Sequence, residues 1–431
     1  MVERQSKQRR SRKAVELAIE SIGARGDGIG RAEGRLVYVP LTIPGDRLRV
    51  ELDRPRGNGF AGRVVEVLAE GPGRIRAPCP HFGECGGCAL QHLEEQRYVA
   101  WKEQLVRTAL ARRGFVDPPL RPLLRIATAT RRRASLAAER AGCSVRLGFH
   151  ARESHRVIDA AGCLVLTPAL GALLPPLRRA LLAMLVDGEQ VEVTATATDG
   201  GVDLLMQGKR PLSLESREAL AALAADADLA RITWRADRSS LDPVAIRRPA
   251  RIAFAGVVVD LPPGAFLQPT APGEVALVAA VSQALSGCRK VADLYAGCGT
   301  FTFPLARGAR VHAVEGDAEA IGALASAARR AVSGQAITTE QRDLASDPLA
   351  EEELARFDGV VFDPPRAGAK AQAERLARST VAKVVAVSCD PATFARDARV
   401  LVDGGYRLLE ATPVDQFIWS PHVEVVAVFA R

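Results

Sequence analysis

"DLYAGCGTFTFPLA", Asp293 to Ala306, is the stretch on which the fold turns. An apolar strand-like run leads into a turn bearing Gly297 and Gly299, and a helix-compatible run follows. Strand, glycine turn and helix open an α/β ligand-binding domain, because glycines let backbone amides approach a ligand closely. The spacing is not GxGxxG and no Walker lysine is present, so a phosphate cradle is not expected. On either side, residues 262–431 alternate between strand and helix patterns. "KVADLYA", "RVHAVEG", "GVVFDPP", "KVVAVSC" and "YRLLEATPV" read as strands, and "ATFARDARVLVDGG" reads as a helix ending at a Gly pair. That alternation predicts a doubly wound parallel sheet. "HVEVVAVFAR" follows "YRLLEATPVDQFIWSP" with no helix between, so this strand is expected to run antiparallel to its neighbour.

The carboxyl edge of such a sheet is where ligands bind. Glu315 ends the second strand, some twenty residues after the glycine turn, and is placed to accept hydrogen bonds from ribose hydroxyls. Asp343 follows the next apolar stretch and could meet an adenine amine. NAD is the alternative ligand. The missing pyrophosphate fingerprint favours S-adenosylmethionine. Asp363, in "FDPPRAG", caps a strand at the same edge. Cys389, in "SCDPATFARDA", ends the next strand, where a thiol can act rather than pack. A sulfonium methyl needs no thiol, but a weak acceptor such as pyrimidine carbon 5 does. Thiolate addition to carbon 6 makes carbon 5 enolate-like. A base must then remove the carbon-5 proton, and Glu424, in "HVEVV", is placed to serve. The plain alternatives are an ordinary strand cap at Asp363 and a buried inert cysteine at 389.

Upstream, residues 14–70 show short β runs ("RLVYVP", "DRLRVEL", "AGRVVEVL") separated by "GARGDGIGR", "PGD" and "PRGNGF". These predict a five-stranded OB-like barrel, either RNA-binding or structural. Residues 71–260 are mixed α+β. "LEEQRYVAWKEQLVRTALARRG" and "TPALGALLPPLRRALLAML" read as helices. "RRRASLAAER" and "VRLGFHAR" read as strands with basic faces, and "QVEVTATATDGGVDLLMQG" as a hairpin. Cys79-x5-Cys85-Gly-Gly-Cys88 implies a metal site, with Cys143 or Cys163 free to complete it. An iron–sulfur cluster suits one remote ligand. Zinc, with His81 or His92, is the alternative.

The chain has 431 residues, 48% of them apolar, and a net charge of +8 from 58 basic and 50 acidic residues. That balance favours a polyanionic partner such as nucleic acid. Residues 1–13 form a basic tail. There are eight cysteines and no secretory pattern, which argues for metal or catalytic thiols over disulfides. No apolar span is long enough to cross a bilayer, so a cytoplasmic protein is expected, with no membrane partner.

Together these stretches resemble the bacterial RNA uracil-5-methyltransferases, which use S-adenosylmethionine to make 5-methyluridine in ribosomal or transfer RNA. "DLYAGCGTF", "DPPRAG", "SCDPATFARDA" and "HVE" occur in family order, and the cysteine run with a later "CLVL" at Cys163 resembles the family's iron–sulfur motif. The resemblance implies a C-terminal Rossmann-like class I methyltransferase domain, residues 262–431. It also implies an N-terminal TRAM barrel, residues 14–70, and a central iron–sulfur domain, residues 71–260. Cys389 would be the nucleophile and Glu424 the base. Gln268 in "FLQPT", Tyr295, Gly297, Thr300, Glu315, Asp343 and Asp363 would hold the cofactor and flank the target base. Cys79, Cys85, Cys88 and Cys163 would hold a 4Fe–4S cluster. Pro269-Thr270, Thr300 and Asp390 depart from the Asn common at the corresponding family positions. The expected substrate is uridine in 23S ribosomal RNA. Transfer RNA and RNA cytosine carbon 5 are the alternative acceptors, and a non-catalytic RNA-binding or redox-sensing protein is the alternative class. No obligate protein partner is expected, and a monomer is. The helix after Cys389 is expected to favour the thiolate, and Arg131, Arg132 and Arg133 to offer a second phosphate-binding patch.

Overall fold

The computed structural model describes residues 14–237, 239–331 and 337–431. The basic tail lies outside them. The chain divides into two compact units: residues up to Trp101 with Trp419–Pro421, and Lys102–Ile418 with His422–Arg431.

In the first unit, strands Ala14–Ile22, Gly28–Ala32, Arg35–Val39, Arg47–Arg56 and Gly59–Ala69 close into a barrel. Every second residue points inward, so Leu17, Ile19, Val37, Val39, Leu48 and Val50 form its core. Gly62 has no side chain because a Cβ there would lie 2.6 Å from Val50 and 2.7 Å from Val37. The chain leaves the barrel over buried Asp46, whose carboxylate accepts from the amides of Ile43 and Gly71 at 2.8 Å each and pairs with Arg74. The cysteine-bearing loop follows. Cys79 N–H donates to Gln91 Oε1 at 3.1 Å, and Gly87 N–H to Cys85 Sγ at 3.4 Å.

The second unit holds two large sheets. One has seven strands in the order Asp242–Ile246, Arg231–Ala236, Gly201–Gly208, Gln190–Thr198, Arg133–Ala141, Ser144–His150 and Val157–Asp159. Its neighbours are antiparallel except Gly201–Gly208 and Arg231–Ala236, a parallel pair joined through helix Leu214–Asp226. Leu170, Leu173, Leu174, Leu177 and Leu181 of helix Pro168–Met184 pack in the core of this sheet. The expected hairpin, Gln190–Thr198 with Gly201–Gly208, is present.

The other sheet has eight strands: Ile337–Gln341, Arg310–Glu315, Lys290–Leu294, Gly359–Phe362, Lys383–Ser388, Glu424–Ala430, Arg407–Asp415 and Leu124–Arg125. The first five are parallel. Glu424–Ala430 runs antiparallel to both its neighbours, as its lack of a preceding helix requires. The middle strands read as unbroken Val/Ala runs because both faces are covered. Strand order reverses between Lys290–Leu294 and Gly359–Phe362. A crevice opens at the carboxyl ends of strands at such a reversal. Leu294 pairs with Phe362, so Tyr295 and Asp363 leave the sheet side by side at that point.

Candidate active site

Strand register places the chemistry. Phe362 pairs with Ala386 in the parallel direction, and Ser388 pairs with Val425 in the antiparallel direction. Cys389 therefore emerges opposite Glu424, one strand away from Asp363. The side chains are linked. Gln268 Nε2 donates to Asp363 Oδ2 at 2.8 Å, Gln416 Nε2 donates to Gln268 Oε1 at 2.8 Å, and the same nitrogen donates to Glu424 Oε2 at 2.8 Å. Glu424 is 2% exposed. Burial holds both Asp363 and Glu424 well above the usual carboxylate range, and the Asp363 carboxyl raises Glu424 further, while the bonds from Gln268 and Gln416 oppose the rise.

The thiol departs from expectation. Burial pushes Cys389 up to about 11, and the carboxyls of Glu424 and Asp363 add to the rise, while Arg366 opposes it. The helix Pro391–Asp403 does not reverse this, because its N-terminal amides are occupied. Asp390 caps it, accepting from Ala392 N–H at 2.8 Å and Thr393 N–H at 3.1 Å. A carboxylate thus sits where the thiolate would have drawn stabilisation. His422 lies against Arg366, Nε2 to Nη2 at 3.4 Å, and is lowered to about 4 by burial and by Arg366. Its Nε2 accepts, because a guanidinium has only donors.

A second group surrounds the glycine turn. Tyr295 takes φ +60°, Gly297 +54° and Gly299 +103°. A Cβ on Gly299 would lie 2.5 Å from Phe303, whereas one on Gly297 would meet nothing within 4 Å, so the backbone there is open to a ligand. Glu315 braces the turn. Its Oε2 accepts from Gly297 N–H at 2.9 Å and its Oε1 from Asp317 N–H at 2.8 Å. Arg342 N–H donates to the Glu315 carbonyl at 2.9 Å, which brings Asp343 alongside Gly316. Asp343 is exposed, and its carboxylate accepts from Ala345 N–H and Ser346 Oγ. Thr300 is half-buried in the same turn.

Several buried polar residues around the site were not legible in the sequence. Gln416 bridges Gln268 to Glu424. Asp293 lies fully buried beneath the turn, accepts from Thr302 Oγ1 at 2.5 Å and is pushed up to about 7 by burial. Lys102 and Asp415 form an ion pair at 2.8 Å with both side chains wholly buried. Arg132 is a correction: it is 7% exposed, pairs with Glu274 and donates to the Gln268 carbonyl at 3.1 Å. It supports the Gln268 loop and is not a surface phosphate contact. Arg133 donates to the Gly264 carbonyl and lies over the Phe266 ring.

Cys79, Cys85 and Cys88 belong to the first unit and Cys163 to the second, all partly buried. Among the described residues no group of three or more His, Cys, Asp or Glu side chains is placed to hold a metal ion. His92, the zinc alternative's ligand, is packed against Phe82 at 5.1 Å and lowered to about 4 by burial. No helix among the described residues is long and apolar enough to cross a membrane.

Residues 235–431 match the family model tRNA (Uracil-5-)-methyltransferase. An "Uncharacterized RNA methyltransferase" of Caulobacter vibrioides is 43% identical, over 96% of this chain and all of that protein. The 23S rRNA (uracil(1939)-C(5))-methyltransferase RlmD of Chromohalobacter salexigens is 36% identical, over 96% of this chain and 89% of that one. The Pyrococcus abyssi tRNA (uracil-54, C5)-methyltransferase, solved with S-adenosyl-L-homocysteine, superposes with a TM-score of 0.72 at 23% identity, over 96% of this chain and 100% of that one, a likeness of fold. The large parallel sheet is thus that of a class I methyltransferase, joined to a small closed barrel. With identity this high over nearly the whole chain, and with the matched family model covering the sheet edge where Cys389 and Glu424 face each other, the chain belongs to the RNA uracil-5-methyltransferase family of enzymes.

Proposed function

We propose that the enzyme methylates carbon 5 of a uridine in 23S ribosomal RNA through a covalent adduct between Cys389 and carbon 6. The observation that carries this is the register that sets Cys389 opposite Glu424, beside the hydrogen-bonded chain from Asp363 to Glu424. S-adenosylmethionine supplies the electrophilic methyl. Gly297, Tyr295, Thr300, Glu315 and Asp343 would hold it, and the open space over Gly297 and the Glu315 carboxylate fit that use. The Cys389 thiol loses its proton to solvent, and its sulfur adds to carbon 6. The displaced π electrons move onto the carbon 4 carbonyl, and carbon 5 then takes the methyl. Glu424 removes the carbon-5 proton. The electron pair left behind reforms the carbon 5–carbon 6 double bond and expels the Cys389 thiolate. Asp363 and Gln268 would flank the base, flipped out to reach a thiol at the strand end.

The 36% identity to RlmD supports ribosomal over transfer RNA. Mapping 5-methyluridine in RNA from a deletion strain tests this. One site in 23S RNA should lose its methyl and regain it with the wild-type gene but not with Cys389→Ala. Loss in transfer RNA, or appearance of the product as 5-methylcytidine, would replace the proposed acceptor.

The barrel, residues 14–70, is proposed to bind RNA, and residues 71–260 to carry a 4Fe–4S cluster on Cys79, Cys85, Cys88 and Cys163. Supporting the cluster are the tight glycine spacing and the Gly87 N–H directed at Cys85 Sγ, a bond of the kind that tunes cluster sulfurs. No step above moves an electron, so its role is structural. Protein purified without oxygen should be brown, and Cys85→Ser should lose the colour. Colourless protein with one equivalent of zinc would overturn the assignment. The enzyme is read as a cytoplasmic monomer with no membrane partner and no obligate protein partner.

A further inference from the structure

We propose that Gln416 is a positioning residue for Glu424, fixing which oxygen of that carboxyl takes the carbon-5 proton. The inference rests on Glu424 being the base.

Gln416 is 3% exposed. It follows strand Arg407–Asp415, and its flanks are pinned. Lys102 Nζ pairs with Asp415 Oδ1 at 2.8 Å, donates to the Phe417 carbonyl at 3.3 Å and also donates to the His422 carbonyl. Arg125 holds the other Asp415 oxygen. The Gln416 side chain is thus delivered from a rigid base. Both hydrogens of Nε2 are used, one on Glu424 Oε2 and one on Gln268 Oε1, each at 2.8 Å.

With Glu424 ionised, as a base must be, the amide sits one way. Its Oε1 is buried without a hydrogen-bond partner, 2.6 Å from where a Cβ on Gly273 would lie. Turning the amide over would direct that oxygen at two acceptors, Glu424 Oε2 and Gln268 Oε1. The orientation therefore sacrifices one acceptor to keep two donors in place.

The consequence concerns protons. Glu424 Oε2 already accepts from Gln416, and Asp363 Oδ2 from Gln268. A proton arriving at either acid must settle on the other oxygen, Oε1 or Oδ1. Gln416 thus reserves Oε1 of Glu424 for the reaction and holds the carboxyl plane still while the adduct forms. Without it, Glu424 becomes more basic, because the Gln416 bond lowers it, but loses its aim.

The test uses full-length enzyme, methyl-labelled S-adenosylmethionine and total RNA from the deletion strain. It follows two signals: label in a denaturation-resistant protein–RNA adduct, and label in released RNA. Glu424→Gln should accumulate the adduct, which checks the reading beneath. Gln416→Met keeps the volume and removes the donor. It should form labelled adduct at close to the wild-type rate and release product on the order of tenfold to a hundredfold more slowly, part of the effect of a base. A merely structural role would slow both signals equally. Should Gln416→Met fail to fold, Gln416→Asn withdraws the donor by one methylene and should show a smaller delay in release alone. The proposal is overturned if Glu424→Gln stalls but both Gln416 variants release product normally, or slow both steps together. If Glu424→Gln itself turns over normally, the base is another group, and the role of Gln416 falls with it.

Discussion

Asp415 and Gln416 are neighbours in sequence, yet they belong to opposite kinds of buried polar cluster. Asp415 meets Lys102 and Arg125, so its charge is compensated. Gln416 stands between Glu424 and Gln268, and through Gln268 reaches Asp363, so that neutral amides link the two acids. A compensated cluster can be kept for position alone. Two acids joined only by amides cost stability at neutral pH, and perturbed acids held in this way mark chemistry. On the proposed mechanism, the first cluster holds the loop still and the second carries the chemistry.

Mutation should separate them, most sharply in activity. Glu424→Gln should lower turnover by about 10²–10⁴-fold and trap methylated adduct on a denaturing gel, with thermal stability equal to or above wild type. A clear fall in melting temperature would mean that Glu424, too, holds the fold. Lys102→Met should do the reverse. It leaves Asp415 buried with Arg125 but without Lys102, at a cost of up to about 3 kcal/mol, the low end for a broken buried pair, read by urea denaturation. The double variant Lys102→Met, Asp415→Leu should recover most of that loss. If the single variant is as stable as wild type, the pair contributes no rigidity and the contrast fails.

A smaller effect should appear at the thiol. Glu424 raises Cys389, so Glu424→Gln should lower the thiol pKa and Arg366→Ala should raise it further. At pH 8, below about 11, alkylation by iodoacetamide follows the thiolate fraction. Peptide-resolved mass spectrometry should show Cys389 reacting up to about tenfold faster in Glu424→Gln, one pKa unit's worth, and more slowly in Arg366→Ala. Equal rates in all three would mean that the acids do not govern the nucleophile.

Much of the catalytic sheet could be read from the chain because its strands are covered on both faces and appear as unbroken apolar runs, Val384–Val387 above all. Cys389 and Glu424 were legible as reactive types at strand ends. Their facing one another depended on the pairing of Ser388 with Val425, which separate segments do not announce. The two-residue strand Leu124–Arg125 carries no periodicity at all. The seven-stranded sheet appeared only as a hairpin and isolated strands, because the pairing of Gly201–Gly208 with Arg231–Ala236 is tertiary. Arg132 read as a surface cation because a triple arginine looks solvated, and only Glu274, 142 residues away, shows otherwise. Gln416 is a polar residue in a loop by every local signal. The thiolate expectation failed for a local reason: Asp390, adjacent to the cysteine, takes the helix amides for itself.

The strand Glu424–Ala430 comes last in sequence among the described strands but sits inside the sheet, between Lys383–Ser388 and Arg407–Asp415. The sheet therefore cannot be assembled in chain order: Lys383–Ser388 and Arg407–Asp415 acquire their shared neighbour only when Glu424–Ala430 inserts between them. Cys389 and Glu424 come to face each other in the same step that joins those strands, so the site cannot form ahead of the sheet that carries it.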